Sequence, residues 1–213
     1  MRVLPVLFNT EMVRAILDGR KTCTRRLVSS RQFLGMLPDK CKNAAPDEFL
    51  KGKRMMFKPY CDMTDAELIM TAYKAPYEPG DILYVRETWH KYSKRVGKGE
   101  GCHLAEFYGY KASVANSEDA NEPWKPSIHM PKEAARIWLR VTNVRVERLQ
   151  DIGYMDCIHE GTPYKQIERD IIKGFLNLWD STIKKSDLDR YGWYANPFVW
   201  VIEFERCEKP EVN

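Results

Sequence analysis

The segment that most constrains the fold is the closing run Pro197-Phe-Val-Trp-Val-Ile-Glu-Phe-Glu-Arg206. Period-two alternation puts Phe198, Trp200, Ile202 and Phe204 on one face and Val199 and Val201 on the other. So many β-branched and aromatic side chains predict a well-buried strand. Two other stretches alternate. Gly80-Asp-Ile-Leu-Tyr-Val-Arg-Glu-Thr-Trp89 opens with a Gly-Asp turn; Leu83, Val85, Glu87 and Trp89 then share one face, and Ile82, Tyr84, Arg86 and Thr88 the other. Arg136 to Leu149 alternates from Ile137 to Val141, pauses at Thr142-Asn143 and resumes at Val144 and Val146, the pattern of a long strand with a bulge or tight bend.

Helices are fewer. Thr10 is placed to cap a short helix carrying Met12, Val13, Ile16 and Leu17, which ends near Asp18 with Gly19 in the left-handed position. Gly19-Arg-Lys-Thr-Cys-Thr-Arg-Arg-Leu27 then reads as extended chain. Two helices are expected between the last two strands. One runs from Asp151 to Glu160 and is closed by Gly161; the other starts at Thr162-Pro163 and presents Ile167, Ile171, Phe175 and Leu178. Thr64 and Glu67 form a capping-box signature. Residues 29–79 and 91–128, rich in Lys, Pro and Asn, read as decorations on the core. Strands outnumber helices and are not spaced for repeated βαβ units, so the expected fold is α+β: a small mixed β-barrel flanked by helices, one domain over residues 1–213.

Composition narrows the classes. With 44% apolar and 30% charged residues among 213, the chain is globular. Its formal charge of +4 is too small to imply a nucleic-acid partner unless the cations cluster. No apolar run reaches the roughly 18 residues of a membrane span, and the N-terminal one is too short for a secretory signal, so no membrane association and a cytoplasmic location are expected. Six scattered cysteines without a CxxC pair read as reduced thiols. Cys102-His103 and Cys157-Ile158-His159 are unconnected pairs. Neither metal nor cofactor is expected.

The densest polar cluster is Arg20-Lys-Thr-Cys-Thr-Arg-Arg26, four cations and two hydroxyls just beyond a helix end. It suits an anionic or nucleotide ligand, although cations there also simply complement the helix dipole. A lysine near a threonine hydroxyl acts as a base when burial or neighbouring cations lower its pKa. In a regular strand Lys21 and Thr24 point to opposite faces, so they meet only if Lys21 still lies in the turn. Glu160 falls where helix carbonyls disfavour a carboxylate, so it needs a cationic partner unless it is solvated. Glu87 faces the core unless its strand has ended. Trp89, Trp124, Tyr191 and Trp193 sit in or beside loops, as stacking platforms or core residues. His129 is a loop histidine or a ligand contact.

These motifs together resemble the ASCH family of the PUA-like superfamily. The resemblance rests on GRKTCTRR, GDILYVRETW, the WKPSIHMPKEAARIWLRVTNVRVERLQDI run, Glu160-Gly161 and NPFVWVIEFER. It covers most of the chain except the decorations and is nearest to the longer members carried by phages and prophages. Some compact members remove the acetyl group from N4-acetylcytidine with a Lys, a Thr and a Glu. The resemblance therefore implies Lys21, Thr24 and Glu160 as catalytic residues and matches Arg26 to the motif's Arg, while Arg25, Arg26, Glu87, Trp89 and His129 are the expected substrate contacts. The expected activity is metal-independent hydrolysis of an acylated nucleobase or nucleoside, or of RNA carrying one. The alternative is a non-catalytic nucleic-acid-binding module.

Overall fold

The computed structural model describes residues 1–29, 64, 67, 69–70, 73–98, 101–113 and 123–211. Most of the decoration at 29–79 lies outside the described residues, but the capping box is formed: Thr64 Oγ1 and N both donate to Glu67 Oε2, at 2.7 Å, and Glu67 N donates back to Thr64 Oγ1. The fold is mixed α+β. It divides into two compact units, one of residues 1–19, 81–140 and 205–213, the other of residues 20–80 and 141–204.

In the first unit, strand β1 (Val3–Leu7) runs parallel to β3 (Ile82–Arg86), which pairs antiparallel with the start of β6 (Trp138–Arg148). β1 was not legible because Pro5 reads as a breaker. It is an edge strand, the position where a residue lacking N–H is tolerated. Helix α1 (Thr10–Leu17) follows it, capped by Asn9 rather than Thr10: the Asn9 side chain accepts from Met12 N at 2.8 Å. Gly19 takes the left-handed conformation after it, at φ +75°. The decoration at 91–128 contains a hairpin, β4 (Trp89–Val96) with β5 (His103–Tyr110). Ile82, Trp89, Met130, Ala134, Ala135 and Trp138 form one buried cluster of this unit.

In the second unit, β2 (Cys23–Leu27) lies antiparallel to β7 (Phe198–Cys207), in the order β6-β7-β2. Residues 198–202 are all 4% exposed or less, as the two apolar faces of this run require. In β6, Leu139 and Val141 are buried, Thr142 and Asn143 are exposed together, and Val144 and Val146 are buried again. The buried parity shifts by one at the pause seen in the sequence, while the strand runs on.

Helices α2 (Tyr154–His159), α3 (Glu168–Thr182) and α4 (Leu188–Tyr191) lie between these strands in sequence. α3 starts five residues later than its sequence signals suggest. Thr162 is buried at 3% and its hydroxyl has no hydrogen-bond partner among the described residues, so it is spent on the core instead of capping a helix. Ile171, Phe175 and Trp179, four apart, pack with Leu149, Cys157, Val199 and Val201. Among the described residues the strands close into no barrel, and no helix is long and apolar enough to cross a membrane.

Candidate active site

The site grows from the junction between the chain leaving α1 and strand β2. Strand pairing begins at Cys23, so Lys21 still lies in the connecting segment, free of strand parity. Its side chain is fully buried and its ammonium donates three hydrogen bonds: to Cys23 O at 2.7 Å, Glu160 O at 2.8 Å and Glu160 Oε2 at 2.8 Å. Glu160 is the C-cap of α2, followed by Gly161 at φ +97°, where a side chain would be strained. The cationic partner that a carboxylate at a helix C-terminus needs is therefore Lys21, which also satisfies one of the orphan helix carbonyls.

A second cation joins the same carboxylate. Arg25 Nη1 reaches Glu160 Oε1 at 3.3 Å, Nε reaches Glu147 Oε1 at 3.0 Å, and Nη2 lies 3.6 Å from Asp156 Oδ2. Burial pulls the Arg25 guanidinium down, but Glu160 and Glu147 outweigh it and hold its pKa above the ordinary value. Only 1% of the side chain is exposed, so Arg25 belongs to a buried ion network, not to a surface that contacts phosphates. Its partners Glu147 and Asp156 are absent from the residues singled out by sequence. Asp156 had a signal, since it lies four residues before Glu160 on one helix.

Thr24 is buried at 3% and pairs with Ile202. Continuous pairing over 23–27 turns Thr24 and Arg26 to the face opposite Cys23 and Arg25. The Thr24 hydroxyl is not among the three acceptors around Lys21. One of those acceptors, Cys23 O, belongs to the peptide bond that leads into Thr24. Burial, and secondarily Glu160, pushes the Cys23 thiol up to about 12; Cys157 is also pushed up to about 12, again chiefly by burial. Neither is a thiolate nucleophile at neutral pH.

A cavity of about 410 Å³ opens over this junction, lined by Thr22, Cys23, Arg145, Asp156, His159 and Glu203 among others. Thr22 is pinned on both sides of its backbone: its N–H donates to His159 O at 2.9 Å and its carbonyl accepts from Phe204 N at 2.8 Å. Arg145 forms an ion pair with Glu203 and lies 3.4 Å from Glu147. The wall is thus polar and of mixed charge.

Arg26 is half-buried, and its charge opposes the upward push of burial on the Tyr77 phenol. Glu87, Trp89 and His129 belong to the first unit. Glu87 is 1% exposed and is gripped at both oxygens by Arg136, at 2.8 and 2.9 Å, with the guanidinium 4.1 Å above the Tyr110 ring. It lies just past the end of β3 and is held there as a core ion pair. Trp89 packs in the buried cluster beside Tyr108, and His129 is exposed in a 3-10 turn (Ser127–His129). Among the described residues no group of three or more His, Cys, Asp or Glu side chains is placed to hold a metal ion. No protein-family model, curated protein or solved structure matches the chain.

Proposed function

We propose that this chain is a PUA-like protein of the ASCH type that hydrolyses the amide of an acylated nucleobase or nucleoside, free or within RNA, in the cytoplasm. The observation that carries the reading is the fully buried Lys21–Glu160 pair, whose ammonium also bonds the carbonyl of Cys23, a residue that lines a polar cavity. Replacing a buried ion pair by apolar residues is often neutral or stabilising, so fold stability alone is a weak reason to keep one. Proton transfer is a better reason.

The chemistry balances as follows. The Lys21 ammonium passes a proton to Glu160 Oε2 across the 2.8 Å contact, leaving an amine beside a carboxylic acid. The amine takes the Thr24 proton as Oγ1 attacks the acyl carbonyl, and the acid gives its proton to the departing amine of the base. Water then cleaves the acyl-threonine ester, its proton returning to Thr24 through the same pair. Arg25, consumed by three carboxylates, is withdrawn from phosphate binding, which favours this reading over a binding module built on the Arg20–Arg26 cluster.

Purified protein assayed against a panel of N4-acylated cytidines tests the reading. Release of free cytidine that vanishes in Thr24→Val supports it; no hydrolysis of any panel member by the folded parent overturns it.

A further inference from the structure

The β4–β5 hairpin carries most of the chain's net positive charge. Residues 89–113 carry Lys91, Lys94, Arg95, Lys98 and Lys111 against Glu100 and Glu106, a net +3 of the whole chain's +4. Register fixes what shares a face: His90, Tyr92, Lys94 and Val96 lie opposite Gly109, Phe107, Ala105 and His103. Glu106 is on the other face, paired with Lys91 at 2.7 Å.

A ladder of rings climbs that acid-free face. Trp124 stacks on His90 with centroids 4.4 Å apart and planes 8° from parallel. His90 meets Tyr92 edge-on at 5.5 Å, and Tyr92 stacks on Phe107 at 5.7 Å. Gly109 makes room for it, since a Cβ there would stand 1.9 Å from His90 Nε2. Exposure rises along the ladder, from His90 at 2% through half-buried Tyr92 to Phe107 at 37%. The exposed cation Lys94 comes next on the same face. Rings braced from beneath, open to solvent at one end and continued by a cation, match what a nucleic-acid strand offers: flat bases on a phosphate backbone. An acidic protein segment would use the cations and leave the rings without a task.

We propose that this hairpin face binds a single strand of nucleic acid, with Phe107 and Tyr92 stacking on bases and Lys94 and Lys98 contacting phosphates. Neither contact reads the sugar, so RNA and DNA strands bind alike. A duplex, whose base faces are hidden, binds through charge alone. The proposal does not rest on the hydrolytic reading, because none of these residues belongs to the Lys21–Glu160 site.

Fluorescence anisotropy of the full chain with labelled oligo-uridine, oligo-thymidine, a duplex and heparin tests it. Both single strands should bind, with affinity falling as salt rises by about 0.7 in log–log slope per phosphate contact. Phe107→Ala should weaken both single strands by about fivefold or more and leave duplex and heparin binding unchanged. Phe107→Leu keeps the apolar bulk but not the aromatic face, and should show the same loss if the alanine variant unfolds. Lys94→Glu should weaken every ligand. The proposal is overturned if the folded parent binds neither single strand, if the duplex binds more tightly than both, or if Phe107→Leu binds single strands like the parent.

Discussion

The Lys21 ammonium and the Glu160 carboxylate lie 2.8 Å apart with their side chains 0% and 4% exposed, and Arg25 holds the second Glu160 oxygen at 3.3 Å. One carboxylate at the end of α2 therefore fixes two cations, Lys21 just before β2 and Arg25 within it, tying helix to strand within one unit. The arrangement makes Glu160 the hub and Lys21 and Arg25 its spokes.

Removing the hub should cost more than removing a spoke. Glu160→Gln leaves Lys21 buried with only carbonyl oxygens and a neutral amide, whereas Lys21→Met leaves Glu160 still paired with Arg25. Breaking a buried pair at one end costs about 3–5 kcal/mol, so Glu160→Gln should fall in that range and Lys21→Met below it. Urea unfolding of the two variants and their double checks this. The double should cost less than the sum by about 0.5–3 kcal/mol, the signature of residues that share an interaction. Additive costs would show that the pair carries little coupling.

The thiols set an alkaline limit. Cys23 and Cys157 titrate at about 12 in the folded chain, chiefly because they are buried, against an ordinary value of about 9. A raised folded pKa means that the folded state binds the proton more tightly. Their contribution is thus complete below pH about 9 and is lost as pH rises from there towards about 12. Unfolding midpoints measured across that window should fall, and less steeply in a Cys23→Ala Cys157→Ala double variant. Below it, a maleimide should modify exposed Cys102 while Cys23 and Cys157 react only on unfolding, as mass spectrometry of the labelled peptides would show.

Arg136 should prove structural. Its guanidinium meets both oxygens of Glu87 and lies over the Tyr110 ring, three contacts that lysine cannot reproduce. Arg136→Met strands a buried carboxylate and should cost about 3–5 kcal/mol, with Arg136→Lys recovering only part of it. Replacing both, as Glu87→Leu Arg136→Met, should be milder than Arg136→Met alone. If it is not, the cost comes from lost packing against Tyr110 rather than from stranded charge.

What could be read from sequence divides along the range of the interactions. The helix after β1, the strand at Cys23 and the buried strand at Phe198 are governed by neighbours a few residues apart, through side-chain period and glycine position. Glu160 stood out for a local reason as well, a carboxylate among helix-end carbonyls. The burial of Arg25 did not, because its partners Glu147 and Glu160 are 122 and 135 residues away in sequence and only the packed sheet brings them together. β1 hid behind Pro5, whose missing N–H matters only if the strand is not at an edge. The hairpin hid behind polar alternation, since a two-stranded ribbon with little core offers no apolar face to detect.

The catalytic assignment is most exposed at Lys21 and Thr24. Thr24→Val keeps the volume of a side chain that is 3% exposed and removes its oxygen. The fold should persist while hydrolysis of an N4-acylcytidine falls by orders of magnitude, and Thr24→Ser, which keeps the oxygen, should retain measurable activity. Lys21→Arg keeps a cation for Glu160 but cannot surrender its proton, so a lysine that serves as a base should be nearly inactive when so replaced. A lysine that merely neutralises Glu160 would tolerate the change. Circular dichroism on each variant separates loss of chemistry from loss of fold. Rates for both Thr24→Val and Lys21→Arg within about threefold of the parent, a barrier difference of about 0.65 kcal/mol, would remove Thr24 as nucleophile and Lys21 as base even if the parent hydrolyses its substrate well.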